Sequence, residues 1–484
     1  MRHHLTALAQ EARLSIQPGL LDAREWIRDT LNEWPPALQP EWRTEDSIRN
    51  QWRRVLRRSR ARLGALPPIT GPRVLVATMF GLDRSSAILD SILMMALRLR
   101  GADPIGLLCD SSIPACEFNP YGAYEPDPGP FGPALLRRGR RDRCSQCTKG
   151  IGDPFAILPV RVARLRNYAA PDDLQRISRL VDEVPYDAYR DWTYRDIGVG
   201  EHAYASTTRA LVRGTLEDDA RTRWQYRRYL IAAAMVVEYA ERLFAAVRPE
   251  RLVATHGIYV TQGTIGDLAK KYGLPRCMSG SAYRSGTVSF FQGDNQHRAL
   301  FDEPNAVWET LELTPAMDRR LDHYLRVRRG GGDDYFNYQR GALTNHAAIY
   351  EVLGLNPEKP LATLYTNLIW DAQIFFKSKL YPDMLEWLFE TIRYFEAHDD
   401  RQLAIRVHPS EGKRFSPTGQ PLLAEVNRVF PRLPPNVRVV SPESPVNSYA
   451  LADMSRAALI YGARWAFELA VQGVPIIITG ESPN

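Results

Sequence analysis

The segment 401–484 alternates short apolar runs with helix-forming stretches, and this order limits the folds that it can adopt. Three runs are predicted strands: 403–407, 457–461 and 474–479. The stretch ARWAFELAVQ between the last two is a predicted helix that ends at Gly473. Because Pro409 cannot continue a central strand, His408 lies where the first strand gives way to a loop. This order predicts half of a nucleotide-binding α/β unit, although an ordinary buried α/β unit without a ligand has the same pattern.

Polar side chains follow the first of these strands. Arg406 and His408 are expected to contact a phosphate or a sugar carboxylate, because ligands of open α/β sheets bind at the carboxyl ends of strands. A histidine that caps its own loop would leave the same pattern and stays an alternative. Ser444, in the stretch SPESPVNSYALAD, is included among the expected nucleotide contacts.

The turn Tyr461-Gly462-Ala463 leads from the second strand into the predicted helix. Free amide groups at a helix start can hold a phosphate. Glu468 follows about two turns into the helix, and its carboxylate only accepts hydrogen bonds, which suits ribose hydroxyl groups. The sequence therefore predicts that these residues bind a nucleotide and that His408 and Glu468 line one pocket.

Length and composition narrow the class of protein. The chain has 484 residues, enough for about two to four domains, and its hydrophobic fraction of 44% supports sizeable cores. A net charge of +6 is modest for this length, so it does not indicate nucleic-acid binding and fits anionic substrates or an anionic membrane surface. There is no secretory signal and no apolar run of about 18 residues, so a cytoplasmic protein is expected.

A second α/β series lies in the first half of the chain. The predicted strands 74–80 and 105–108, with a helix between them, begin a doubly wound sheet, and the strand 251–255 starts a further unit. Residues 1–70 are predicted to be a basic helical segment that either lies on anionic lipid or packs on its own domain. The expected domains are 1–70, 71–325 with a cysteine-containing insertion at 109–150, and 340–484, joined by a connector within 315–353 and separated by a cleft.

His256 is the first candidate for chemistry in the N-terminal α/β domain. It ends the strand 251–255, where it can take a proton from an acceptor hydroxyl across a cleft from a nucleotide. A structural histidine with satisfied hydrogen bonds is the alternative. Tyr283 and Arg284 follow the next strand and are candidates to contact an anionic group.

The C-terminal domain offers a matching set after its first strand. Asp371 is a candidate general base or hydroxyl ligand, and Asn367 is a candidate nucleotide contact. Helix capping by Asn367, with Trp370 packed in the core, explains the same residues without a ligand.

Four cysteines form the pattern C-x6-C…C-x2-C, namely Cys109, Cys116, Cys144 and Cys147. C-x2-C is a zinc-ligand spacing, and four thiolates could clamp the long insertion around a metal ion. C-x6-C lies outside the usual range for zinc knuckles. Free thiols and a redox pair therefore remain open beside a structural metal.

Three stretches of the second half resemble the C-terminal half of bacterial capsule and surface polysaccharide biosynthesis proteins: YTNLIWDAQ, LAIRVHPSE and LIYGARWAFELAVQGVPIIITGES. The resemblance extends to LLCDSSIPACE, RCSQC, VATHGIY and SGSAYRSGT, and covers residues 72–484. These proteins are similar to GT-B glycosyltransferases. The resemblance implies two Rossmann-like domains that face a cleft, with the donor in the C-terminal domain and the acceptor in the N-terminal domain.

The resemblance also implies a function. It implies transfer of a sugar from a nucleotide-sugar, with a CMP-sugar favoured, to a glycan or lipid-linked acceptor. In related enzymes that use CMP-sugars, a His-Pro histidine holds the nucleotide phosphate and a helix glutamate often holds the ribose, and these roles carry to His408 and Glu468. No cofactor is expected for the chemistry, and structural zinc is left open.

The resemblance leaves two other functions open. A nucleotide-sugar epimerase of similar shape is one alternative, and a non-catalytic sugar-binding or assembly protein is the other. A cytoplasmic protein that associates peripherally with the inner face of the plasma membrane is compatible with all three. Because GT-B domains usually close with further helices, the C-terminal domain is expected to be incomplete at Asn484.

Overall fold

The computed structural model describes residues 48–63, 66–119, 136–281, 287–293, 295, 306, 309–330, 341–371, 378–412, 418–463 and 465–480. The chain forms two compact units, Met1–Ala65 and Leu66–Asn484. In the described part of the chain, no helix has both the length and the apolar character needed to cross a bilayer.

The first unit is described at one helix, α1 (Ile48–Leu63). Its sequence IRNQWRRVLRRSRARL is rich in arginine and contains no acidic residue. The expected basic helix is therefore present in this stretch, and residues 1–47 lie outside the described residues.

A six-stranded sheet forms the first half of the second unit. Its strands are Arg73–Met79 (β1), Asp103–Leu108 (β2), Arg161–Arg164 (β3), Arg251–Thr255 (β4), Arg276–Ser281 (β5) and Val288–Gln292 (β6). The spatial order is β3-β2-β1-β4-β5-β6, and all neighbours are parallel except β5 and β6. β2 is buried at every position, as expected for a parallel strand that helices cover on both faces.

Helices surround this sheet. They are Arg84–Leu99 (α2), Leu136–Phe155 (α3), Asp173–Asp182 (α4), Val199–Leu211 (α5), Ala220–Val247 (α6) and Gln262–Lys271 (α7), with short 3₁₀ turns at Leu165–Tyr168 and Tyr186–Ala188. Asp83 caps α2 by accepting a hydrogen bond from the Ser85 N–H, and Asp219 caps α6 through the Thr222 N–H. Residues 229–240 of α6 are all buried, so this helix is the centre of the first core.

A five-stranded, fully parallel sheet forms the second half. Its strands are Leu361–Tyr365 (β7), Gln402–Arg406 (β8), Val437–Val440 (β9), Ala457–Ile460 (β10) and Ile476–Ile478 (β11), in the spatial order β11-β10-β7-β8-β9. The helices are Pro315–Gly330 (α8), His346–Leu353 (α9), Met384–Glu396 (α10), Leu422–Val429 (α11), Ser448–Asp453 (α12) and Trp465–Val471 (α13), with a 3₁₀ turn at Pro409–Gly412.

Side-chain alternation along β8 builds a core on each face of this sheet. Leu403 and Ile405 pack in one cluster with Ile392 of α10. Ala404 points to the opposite face and packs with Leu451 of α12. Both faces are therefore covered, which explains why β8 is buried at every position.

The α/β fold class predicted from the sequence is confirmed: the chain forms two sheets of mainly parallel strands with many helices, and only the β5–β6 pair of the described strands is antiparallel. One detail differs from the expected segmentation. The helix α8 crosses the expected boundary at residue 325, and its residues Tyr324, Arg328 and Arg329 contact the layers of the second sheet. At the far edge of that sheet, Ile477 and Ile478 of β11 are exposed.

Candidate functional site

Each sheet has one position where the chain connections diverge. In the first sheet this position lies between β1 and β4, and in the second it lies between β7 and β10. Ligands of open α/β sheets bind at such switch points, in the crevice beyond the carboxyl ends of the strands. The residues that follow these four strands therefore define the candidate site.

His256 follows β4 at the first switch point. Its φ angle is +60°, and Gly257 follows with a φ of +83°, so the chain turns sharply in the left-handed region. This conformation is costly for a residue other than glycine, and such positions cluster at functional sites. Burial lowers the pKa of the His256 imidazole to about 4, and the positive charge of Arg209 acts in the same direction. The imidazole is therefore neutral at physiological pH.

Arg209, near the end of α5, connects the two sheets. Its Nη1 donates to the Tyr259 hydroxyl at 3.2 Å and to Asp371 Oδ1 at 2.9 Å. Tyr259 follows β4, whereas Asp371 follows β7, so this one guanidinium joins the carboxyl ends of strands from both sheets. The guanidinium carbon also lies 6.0 Å from the centre of the Trp370 ring.

The two predicted catalytic residues are thus brought to one place. Asp371 contacts Arg209 directly, and the charges of Arg209 and Asp371 both act on the His256 imidazole. Sequence reasoning missed Arg209 because nothing in the helical stretch STTRALV marks it. Only the fold brings it against a residue 162 positions further along the chain.

Glu117 is a second residue that the sequence analysis missed. Both of its carboxylate oxygens accept hydrogen bonds from the Thr261 hydroxyl, at 2.9 and 3.0 Å. Thr261 is the residue just before α7, so the carboxylate lies near the start of a ten-residue helix, where negative charge is favoured. Burial raises the pKa of Glu117, and the charge of Arg209 opposes that rise.

At the second switch point, Asn367 meets the turn after β10. Its side-chain Nδ2 donates to the Gly462 carbonyl, so two predicted nucleotide contacts from different strands lie together. Asn367 Oδ1 is buried and has no hydrogen-bond partner among the described residues. Tyr461 is buried against Trp387, with 5.6 Å between the ring centres, and contributes packing to the turn. Ala463 lies half-buried just beyond it.

His408 has a defined ring orientation at the end of β8. Its ring Nδ1 accepts a hydrogen bond from the Ser410 backbone N–H at 3.1 Å, and the backbone N–H of His408 donates to the Thr366 hydroxyl at 3.0 Å. Because Nδ1 is an acceptor in this contact, the neutral ring carries its proton on Nε2. The ring therefore caps its own loop, as the alternative interpretation of the sequence expects, and its role toward a phosphate stays a prediction.

Arg406 and Ser444 hold the loop that follows β9. Arg406 is buried, and its guanidinium donates to the Ser448 hydroxyl at 3.2 Å and to the Ser441 carbonyl. The Ser444 hydroxyl accepts the Val446 N–H at 3.4 Å. These contacts are internal to the second half, so both residues shape the edge of the site through the loop.

Glu468 is buried in α13 and its carboxylate has three protein partners. One oxygen accepts the Tyr324 hydroxyl at 2.8 Å and Arg328 Nε at 3.1 Å, and the other accepts the Tyr449 hydroxyl at 2.5 Å. Tyr324 and Arg328 belong to α8. The observed contacts thus make this glutamate the anchor of α8, and its predicted role toward ribose stays a prediction.

The four cysteines Cys109, Cys116, Cys144 and Cys147 line one pocket beside the first switch point. The pKa of Cys109 is raised to about 12, mainly by burial and in part by the neighbouring thiols Cys147 and Cys144. The prediction that these residues converge is therefore supported, and all five cysteines of the chain are free thiols. The basic run before Cys144 forms part of α3.

Two glycines allow α3 to lie against the turn after β1. A β-carbon on Gly81 or on Gly150 would overlap the backbone of the other segment, at the Cys147 carbonyl and the Gly81 carbonyl respectively. The helix therefore touches the turn backbone to backbone. The predicted anion contacts Tyr283 and Arg284 lie outside the described residues.

No protein-family model matches the chain, and no curated protein matches it. Similar solved structures include the Thermosulfurimonas dismutans KpsC β-Kdo 2,4 transferase, at 16% identity over 48% of this chain and 69% of that chain, with a TM-score of 0.31. The glycosyltransferase SnogD from Streptomyces nogalater has 12% identity over 84% and 82%, with a TM-score of 0.20. UDP-GlcNAc 2-epimerase from Neisseria meningitidis, bound to UDP-GlcNAc, has 7% identity over 84% and 82%, with a TM-score of 0.20.

Proposed function

We propose that this protein is a glycosyltransferase that moves a sugar from a CMP-sugar to a hydroxyl group of a glycan or lipid-linked acceptor. The observation that carries the proposal is the ion pair between Arg209 and Asp371, at 2.9 Å. It joins the carboxyl ends of the two sheets, where a donor bound to one half can meet an acceptor bound to the other. A residue set with this placement suits a transfer between two substrates.

The donor belongs in the second sheet. His408 follows β8 at the carboxyl edge of this sheet, where a histidine can bind a nucleotide phosphate, and a hydrogen bond to a charged group is stronger than one between neutral groups. The unpartnered Oδ1 of Asn367 is an acceptor for a donor hydroxyl. The helix α13 begins at Trp465 and has seven residues, so the phosphate contact rests on His408 in this proposal.

The acceptor belongs in the first sheet, where His256 takes its proton. The acceptor oxygen forms a bond to the anomeric carbon as the bond from that carbon to the donor phosphate breaks. The electron pair of the broken bond stays on the departing CMP, and the hydroxyl proton moves to the neutral His256 imidazole. The carboxylate of Asp371 favours the imidazolium that results, because its negative charge raises the pKa of His256.

Thermal stabilisation by nucleotide-sugars is the first test. A ligand that binds only the folded state raises the melting temperature by mass action, so CMP-sugars are expected to stabilise the chain more than UDP- or GDP-sugars. The products with the stabilising sugar are then identified by mass spectrometry. A product in which the sugar is joined to the acceptor supports the proposed transferase. An epimerised nucleotide-sugar would instead indicate an epimerase, and binding without turnover would indicate a sugar-binding protein.

His408→Ala tests the donor site directly. Loss of a hydrogen bond to a charged phosphate is expected to weaken CMP binding by about 1.5–3 kcal/mol in calorimetry. His398→Ala is the matched control, because His398 lies half-buried on the same half, away from the carboxyl ends of the strands, and stacks on Tyr394. Equal CMP affinities of the two variants would contradict the proposed contact between His408 and the phosphate.

A further inference from the structure

Four thiols converge from three parts of the chain beside the first switch point. Cys109 follows β2, Cys116 starts a tight turn whose backbone pairs with Asn119, and Cys144 and Cys147 lie one turn apart on α3. All four line the same pocket. Their convergence does not depend on the proposed sugar transfer.

Two of the sulfurs already accept hydrogen bonds from amide groups. The Gly81 N–H donates to Cys147 Sγ at 3.1 Å, and Asn119 Nδ2 donates to Cys144 Sγ at 3.2 Å. Partners of this kind orient metal ligands and tune their charge, and they are of little use to a neutral thiol, which is a weak acceptor. Arg143 also lines the pocket and adds a positive charge near the sulfurs.

We propose that Cys109, Cys116, Cys144 and Cys147 bind one zinc ion. Four cysteine thiolates are a preferred tetrahedral set for structural Zn²⁺, with Zn–S distances of about 2.3 Å. Each thiol gives its proton to solvent as its sulfur binds the metal. As they stand, no three or more His, Cys, Asp or Glu side chains among the described residues are placed to hold a metal ion, so zinc binding requires the four sulfurs to move closer together.

The zinc ion fastens α3 to the carboxyl end of the first sheet. The ligands tie α3 to β2 and to the turn at Cys116, and the residue after Cys116 is Glu117, which accepts hydrogen bonds from Thr261. Thr261 itself lines the pocket. The metal is therefore a structural clamp that fixes one wall of the candidate site, and no step of the transfer passes through it.

The metal content of the untagged chain tests this directly. After growth with added zinc and extensive dialysis, elemental analysis is expected to find about one zinc per chain. Replacement by Co²⁺ is expected to give the visible absorption bands of a tetrahedral thiolate site. Cys147→Ser is expected to lose the metal, whereas Cys277→Ser, outside the quartet, is expected to keep it.

A second measurement holds even when Cys147→Ser fails to fold. Titration of the wild-type chain with a mercurial thiol reagent, followed by a chromogenic chelator, is expected to release the zinc in step with modification of the four thiols. A wild-type chain that retains less than about a tenth of a zinc ion and shows no Co²⁺ spectrum would overturn the proposal. Iron and sulfide in place of zinc would overturn it as well, in favour of an iron–sulfur cluster.

Discussion

Removing the charge of Asp371 is expected to separate stability from catalysis. The Arg209–Asp371 pair is substantially exposed, with 41% and 51% of the two side chains accessible. Exposed ion pairs contribute about 0–1 kcal/mol to the free energy of unfolding. A loss of that size from a typical stability of about 5–15 kcal/mol leaves nearly all molecules of Asp371→Asn folded.

The activity of Asp371→Asn is expected to fall much further than its stability. Groups that assist proton transfer contribute a factor of about 10²–10⁴ to the rate. The prediction is therefore a drop of that order in transfer rate, with a melting temperature that changes by at most about 2–4 °C. Urea unfolding and an acceptor-product assay on the same preparation measure both quantities.

The pair Arg393–Glu390 provides a matched control. It lies in the second half at 2.6 Å, with 45% and 46% of the side chains exposed. Glu390→Gln is expected to change stability as little as Asp371→Asn does and to leave transfer unchanged. Equal activity in the two variants, or an activity loss that the measured unfolding accounts for, would refute the assignment of Asp371 to the chemistry.

Three further outcomes are expected. The pKa of His256 is lowered to about 4 in the folded chain, so below about pH 6.5 the unfolded chain binds a proton that the folded chain does not bind. The free energy of unfolding therefore decreases as the pH is lowered, by about 2 kcal/mol at pH 5. His256→Gln is expected to remove this part of the pH dependence in urea titrations at pH 5 and 7.5. Gln420→Ala removes hydrogen bonds to the N–H and hydroxyl of Thr215 across the two halves, at 3.1 and 2.9 Å, and should cost about 1–3 kcal/mol in urea unfolding, whereas an unchanged midpoint would contradict a shared interface. Glu468→Gln should lower the melting temperature because it leaves Arg328 without its carboxylate, and a normal melting curve with lost nucleotide affinity would instead favour the ribose role.

Several strands could be predicted from local features of the sequence. The strand 251–255 was predicted with its observed bounds, and the His408-Pro409 pair marked the end of β8 to within two residues. Both signals are local, because β-rich runs and strand-breaking residues act on their own segment. These local signals were not sufficient for every strand, because the edge strands β3 (Arg161–Arg164) and β6 (Val288–Gln292) were not predicted.

The partners of the site residues were not predictable in this way. Arg209 reaches Asp371 only because the two halves meet, and the burial of Glu468 depends on α8, more than 100 residues earlier in the chain. The helix α3 was missed because the insertion 117–143, which ends in RRGRRDR, is rich in proline and glycine and these residues indicate loops, whereas RRGRRDR lies in a twenty-residue helix in the folded chain. Contacts between residues that are far apart in the sequence produce no periodic pattern from which a single sequence could predict them.

The contact between Gly81 and Gly150 carries a consequence for how relatives of this protein can be found. Since neither position has room for a β-carbon, a change at one cannot be rescued by a change at the other, and both are expected to stay glycine wherever α3 crosses this turn. Cys147 lies three residues before Gly150, so the pair and the C-x2-C motif together form a spaced signature, G…C-x2-C-x2-G. A search with that signature would find divergent chains in which α3 packs closely against the turn after β1, even where overall sequence identity is low.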